Sequence, residues 1–210
     1  MKNFDNSFLT ADIKYIAGTD EVGRGPLAGP VVAAAVIFDK DTYIKGVNDS
    51  KQLTEKGREE LLPQILEKCL TCSVSVISHI QIEEINILQA SLLAMTTSIS
   101  RLAIKPGLIL VDGNKGLNYP VQSIPVIKGD SKSFAISSAS IIAKVARDRI
   151  MKRLHLYYPL YLWNKNKGYA TREHIAAIKT YGPCHLHRKT FIRNILFEMN
   201  SAKLEFENKE

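Results

Sequence analysis

Residues 31–38 read Val-Val-Ala-Ala-Ala-Val-Ile-Phe with no polar interruption. A strand with one wet face alternates apolar and polar residues. An unbroken apolar run belongs to a strand covered on both faces. The chain must therefore fold in layers on either side of a sheet, and its 210 residues suffice for one large domain of this kind. A hydrophobic content of 45% is enough to fill the core.

The other elements follow from periodicity. Residues 13–20 read as a first strand and 31–38 as a second. Thr54 suits an N-cap, and Leu61, Leu62, Ile65 and Leu66 carry a helical period behind it. Residues 73–78 alternate as a third strand, 108–111 form a fourth and 121–127 a fifth. Between them, 81–102 predicts a long helix. A second long helix spans 131–157, with Ala135, Ser138, Ala139, Ala143 and Ala146 allowing close packing, and Pro159 ends it. Shorter helices are expected over 171–180 and 189–206. The expected architecture is α/β: a mixed sheet flanked by helices, residues 1–210 as a single domain, with a helical C-terminal part from about residue 160.

A net charge of +7 and a pI near 9.2 favour a polyanionic partner, either nucleic acid or an acidic membrane surface. No apolar run reaches the ~18 residues of a membrane span. Residues 1–12 are polar and lack the apolar stretch of a signal peptide. Three cysteines are too few for a disulfide framework, so a cytoplasmic protein is expected. Cys69-x-x-Cys72 has no second pair for zinc and does not open a helix, so it reads as structural.

Acids end several of the apolar runs. Asp20 and Glu21 close the first strand, just before Gly23-Arg24-Gly25-Pro26. Asp112 follows Leu108-Ile109-Leu110-Val111, and Asp130 follows residues 124–129. Carboxylates gathered from separate strand ends repel one another unless a cation joins them. Hard divalent ions such as Mg²⁺ take such oxygen ligands together with substrate phosphate. Neighbours in a regular strand point to opposite faces. Asp20 and Glu21 therefore share one site if the strand ends at Asp20, or if Glu21 contributes its backbone carbonyl as well as its side chain. Asp148 lies five helical turns from Asp130, roughly 27 Å at the α-helical rise, and reads as an ion-pair or capping acid.

The turn at Gly23 matches the loose G-x-G-x-x-A pattern, but Pro26 and Pro30 lead into a strand, so no dinucleotide site opens there. It is either a tight strand connection or a bare backbone edge for a sugar-phosphate chain. Lys51, Lys128, Lys132, Lys165, Lys167, Arg172, Arg188 and Lys189 sit in predicted loops and suit phosphate tracking. Tyr169, beside Lys167 and Gly168, suits stacking on a sugar or base, or else fills a core niche.

Taken together these segments resemble ribonuclease HII. The resemblance runs through residues 20–30, Asn48-Asp49-Ser50-Lys51-Gln52-Leu53, Val111-Asp112-Gly113-Asn114, Lys128-Gly129-Asp130, residues 139–148, Lys167-Gly168-Tyr169-Ala170-Thr171, Gly182-Pro183 and His187-Arg188-Lys189-Thr190-Phe191. It covers about residues 18–191. Thr19 replaces the usual aliphatic residue before the first acid, and Thr190 stands where serine is common. The short stretch before Asp20 disfavours ribonuclease HIII, and the charged tail 201–210 shows no clamp-binding motif.

The resemblance implies a ribonuclease H-like fold and a Mg²⁺- or Mn²⁺-dependent endoribonuclease. It would act on RNA–DNA hybrids and on single ribonucleotides embedded in duplex DNA, cutting on the 5′ side to leave 3′-hydroxyl and 5′-phosphate ends. The family's acids fall on Asp20, Glu21, Asp112 and Asp130, with Asp20 and Asp130 expected closest to two metal ions ~4 Å apart. Its ribose-sensing turn falls on Gly23, Arg24 and Gly25, and its junction-sensing tyrosine on Tyr169. Lys51 and Arg188 are expected at phosphates. A monomer with no obligate protein partner and no membrane contact is expected. The competing readings are a structure-specific DNA resolvase, a non-catalytic nucleic-acid-binding protein and a small-molecule phosphate enzyme.

Overall fold

A computed structural model describes residues 1–47 and 53–207, with backbone alone for 202–207. A five-stranded mixed sheet forms the centre, with strands in the order β3-β2-β1-β4-β5. The strands are β1 (Ile16–Val22), β2 (Val31–Ile37), β3 (Thr71–Ile77), β4 (Leu108–Asp112) and β5 (Ser123–Val126). β1, β2 and β3 pair antiparallel; β1, β4 and β5 pair parallel.

The apolar run is covered on both faces, as its composition requires. Ala33, Ala35 and Ile37 of β2 pack with Ala90, Ala94, Met95 and Ile99 of helix α3 (His79–Ser100). Ala34 and Val36, the alternate residues, pack with Ala139, Ile142 and Ala143 of helix α4 (Phe134–Tyr157) and with Leu61, Leu62 and Ile65 of helix α2 (Glu55–Lys68). Gly18 of β1 faces α4 so closely that an added Cβ would stand 2.3 Å from the Ala135 carbonyl carbon. Gly18→Ala would therefore push α4 off the sheet.

Side chains cap the helices. Thr54 accepts from the Gly57 amide at 3.1 Å, Ser78 forms a capping box with Gln81, and Ser133 accepts from the Ile136 amide at 3.1 Å. The helix predicted unbroken over 81–102 is interrupted. Asn86 takes a φ of +65°, and its Oδ1 accepts from the amides of Leu88 and Gln89 at 3.0 and 3.1 Å, restarting the helix from within.

The polar opening segment packs against the core through Phe4, Phe8 and Leu9. In helix α1 (Lys2–Asn6), Asp5 is buried, and its carboxylate accepts from the Ala135 amide in the first turn of α4 at 2.9 Å. The C-terminal part holds the short helix α5 (Trp163–Asn166), α6 (Arg172–Tyr181) and α7 (Lys189–Glu207). Trp163, Ile178 and Ile192 fill its own apolar cluster, which also takes in Met151 of α4. No described helix is long and apolar enough to cross a membrane.

Candidate active site

The parallel pairing of β1 and β4 ends at Thr19 and Val111. Beyond that register β1 continues alone on this side, still paired with β2 as Asp20 with Ala34, Glu21 with Ala33 and Val22 with Val32. The strand does not end at Asp20, so that expectation is corrected. Glu21 reaches the same cleft because β1 overshoots β4 and leaves the edge open. Asp112 is the last residue of β4, so Asp20, Glu21 and Asp112 line one cleft at the carboxyl ends of adjacent parallel strands, where open α/β sheets bind ligands.

The cleft has a volume of about 450 Å³ and is lined by Asp20, Glu21, Gly23 to Gly25 and Asp112, with Arg58, Ser140, Lys144 and Tyr169. Asp20 is buried, and its Oδ1 accepts from the Glu21 amide at 2.7 Å. Burial, then the charges of Glu21 and Asp112, hold its carboxyl well above the ordinary range, against a hydrogen bond from Ser140. Glu21 is also raised by burial. Arg24, 3.3 Å away, pulls it back, and Asp112 adds repulsion. Asp112 Oδ1 accepts from the Gly129 amide at 2.7 Å.

Asp130 is placed differently from the other acids. Lys128 turns left-handed (φ +55°) and a single 3₁₀ turn, Gly129–Ser131, follows. Asp130 is thereby buried, and it is not among the described residues lining the cleft. Its neighbour Gly129 donates to Asp112, which ties this turn to the end of β4. Among the described residues no three His, Cys, Asp or Glu side chains stand together as a ready ligand shell; Glu21 faces Arg24 and Asp112 faces the backbone.

Two buried arginines shape the Gly-Arg-Gly turn. Arg188, expected at a phosphate, is fully buried, so its expected role is corrected. Its guanidinium donates to the carbonyls of Gly29 at 3.0 Å, Arg24 at 3.0 Å and Gly23 at 2.7 Å. Burial, and then the positive charge of Arg147, lower its pKa to about 9. Arg147 of α4 donates to Pro30 and Lys167 at 2.9 Å and to Ala28 at 3.2 Å. Both cations are stabilised by carbonyl dipoles, and a fork of N–H donors suits that arrangement. Gly23 (φ +99°) lies against Arg147, with no space for a Cβ. Gly25 has open space where a Cβ would go.

Tyr169 is partly exposed at the cleft, with Lys144 and Arg147 5.8 and 5.6 Å from its ring centre. Asp148 pairs with Lys144, one turn before it, at 2.7 Å and with Arg58 of α2 at 3.8 Å, the ion-pair role expected of it. Lys51 lies outside the described residues. Sequence reasoning missed Ser140, Lys144 and Arg147. They recur at helical spacing on the α4 face that meets the cleft and the turn, and an arginine on a buried helix face signals internal acceptors.

Solved structures place this architecture among the ribonuclease H-like folds. The ribonuclease H2 of Pyrococcus horikoshii OT3 matches with a TM-score of 0.73 at 29% identity, covering 89% of this chain and 99% of that one. The family model for ribonuclease HII matches residues 17–195, and the chain belongs to that family, the endoribonucleases that hydrolyse RNA in RNA–DNA hybrids. Among curated relatives, ribonuclease HII of Caldicellulosiruptor saccharolyticus is 48% identical over 194 residues, 91% of this chain and 94% of that one. Ribonuclease HII of Delftia acidovorans is 53% identical over 176 residues, 84% and 75% of the two chains.

Proposed function

We propose that the cleft incises duplex DNA on the 5′ side of single embedded ribonucleotides as well as cutting continuous hybrids, leaving 3′-hydroxyl and 5′-phosphate ends. The observation that carries this reading is one cleft shared by the carboxylates of Asp20, Glu21 and Asp112, the Gly23-Arg24-Gly25 turn and Tyr169. Phosphodiester chemistry then lies beside a bare backbone edge able to meet a 2′-hydroxyl, the group that separates RNA from DNA.

The donor set suits Mg²⁺ or Mn²⁺. Carboxylate oxygens are hard ligands, and the burial and then mutual repulsion that raise Asp20 and Glu21 are what a cation offsets. Asp20, Glu21 and Asp112 would hold it, with Asp130 completing the set. When bound, divalent ions supply a more acidic water and stabilise charge at the scissile phosphate. Arg24, half exposed, exchanges Glu21 for a substrate phosphate. The open side of Gly25 admits the sugar, and the Tyr169 ring packs on the neighbouring deoxyribose. Lys51 adds a phosphate contact.

The test is a labelled DNA duplex carrying one ribonucleotide, incubated with Mg²⁺ or Mn²⁺, beside an all-DNA duplex and a chelated sample. Metal-dependent cutting 5′ to the ribonucleotide, with the all-DNA duplex intact, is expected. Cutting of the all-DNA duplex would favour a resolvase-type nuclease instead.

A further inference from the structure

Behind Tyr169 lies a buried polar chain that the cleft chemistry does not use. The Trp163 indole N–H donates to His174 Nε2 at 3.1 Å. That nitrogen is therefore an acceptor, and the His174 proton sits on Nδ1, 2.8 Å from the Tyr169 carbonyl oxygen. The Cys184 amide donates to His187 Nδ1 at 3.1 Å, so His187 carries its proton on Nε2, 3.1 Å from His174 Nε2. With both rings neutral, Trp163 and His187 share the one lone pair of His174 Nε2, which leaves Nδ1 as the position of the His174 proton, and Trp163, His174 and His187 are buried.

Tyr169 needs such a fixture. Lys167 (φ +51°) and Gly168 (φ +86°) both take left-handed backbone just before it. Such conformations persist where the surroundings over-determine them. Arg147 holds the Lys167 carbonyl, Leu27 donates to the Gly168 carbonyl at 2.8 Å, and Asn166 Oδ1 accepts from the Gly168 amide at 2.8 Å. The Tyr169 carbonyl is held by His174 Nδ1 and the Thr171 amide. The two sides of the Tyr169 peptide thus answer to different residues, and the side chain that reaches its carbonyl is His174.

We propose that His174 is a positioning residue for Tyr169. Its Nδ1–H fixes the Tyr169 carbonyl and so the direction in which the ring enters the cleft, and Trp163 and His187 hold His174 in the tautomer that can donate. The consequence is specificity: His174 sets the preference for an isolated ribonucleotide over a continuous hybrid. The inference rests on the junction-sensing reading of Tyr169.

The experiment compares His174→Asn, whose amide nitrogen takes the place of Nδ1, with His174→Gln, whose amide takes the place of Nε2. Tyr169→Ala is run beside them, and kcat and KM are measured on a single-ribonucleotide duplex and on a uniform RNA–DNA hybrid. Tyr169→Ala should abolish the preference. His174→Gln should lower the ratio of kcat/KM values, single ribonucleotide to hybrid, by about 10-fold or more, while His174→Asn restores it to within about 3-fold of wild type, since ring misplacement of about an ångström acts on orientation. If Tyr169→Ala changes the ratio and both His174 variants leave it unchanged, the inference is overturned while the Tyr169 reading stands. Equal losses on both substrates also overturn it. An unchanged ratio in Tyr169→Ala overturns the Tyr169 reading and the inference with it. Should the variants fail to fold, ¹H–¹⁵N spectra of the histidine rings in the wild-type protein decide: His174 must be the Nδ1–H tautomer and His187 the Nε2–H tautomer, and the reverse assignment overturns the proposal.

Discussion

The two polar regions of this molecule are built on opposite rules. In the cleft, burial raises the cost of charge on Asp20 and Glu21, and repulsion among them and Asp112 adds to it. Behind it, Arg147 and Arg188 are as deeply buried and also repel each other, yet their N–H donors meet carbonyls, and His174 and His187 are buried beside them as neutral rings. Carboxylates gathered against one another belong to the chemistry, and cations wrapped in carbonyls belong to the shape. The comparison yields measurable differences, because removing a member of the first group should relieve the fold and removing a member of the second should injure it.

The largest effect is expected at Asp20. Asp20→Asn should reduce turnover by about 10³-fold or more, the scale of losing a central electrostatic group. Thermal unfolding in chelator should show a melting temperature equal to or above wild type, since a repelled carboxylate is gone. A drop of several degrees would make Asp20 structural and collapse the contrast. Next, Arg188→Met should cost about 3 kcal/mol of stability, because three carbonyls of the turn lose their donors. Urea unfolding measures it, and an unchanged midpoint would mean that water replaces the guanidinium.

The smallest effect is a pH dependence. Burial, then His174, lowers the His187 pKa from 6.5 to about 4. The folded state favours the neutral ring, so this contribution to stability is complete above the unfolded pKa near 6.5 and is lost as pH falls toward 4. Around the ring stand His174, Cys184 and Tyr161, with Arg188 next in sequence, and His187 also lines a cavity with His79, Glu83, Glu84, His185 and Lys189. Between pH 7 and pH 5 the loss should be about 2 kcal/mol. His187→Asn, whose side chain can still accept from the Cys184 amide, should flatten that slope in denaturant titrations at the two pH values. An unaltered slope would assign the dependence to other groups.

Much of this was legible in the sequence, for reasons that differ by residue. The run at 31–38 needs no partner to declare its burial, and Thr54 caps its helix through a bond to the amide three residues on. The acids stood out because each ended an apolar run. What stayed hidden depends on distant pairing. Glu21 reaches the cleft because β4 stops short of β1, which nothing within residues 16–22 encodes. Arg188 looked like a phosphate ligand beside Lys189, and only the pairing of residues 186–188 with 27–29 turns it inward. Asp130 ends an apolar run as Asp112 does, but a left-handed Lys128 tucks it under the surface.

The capping of α4 by Asp5 bears on how the chain matures during synthesis. The two residues stand 130 positions apart, so Asp5 emerges first and has no partner until the start of α4 has been made. At ~5–20 residues per second of translation, the opening segment waits roughly 7 to 26 seconds. Until then the first turn of the central helix has no carboxylate over the Ala135 amide. Closure of the N-terminal segment is thus a late event in the birth of the molecule, and its first residues act as a latch on work already done by the sheet.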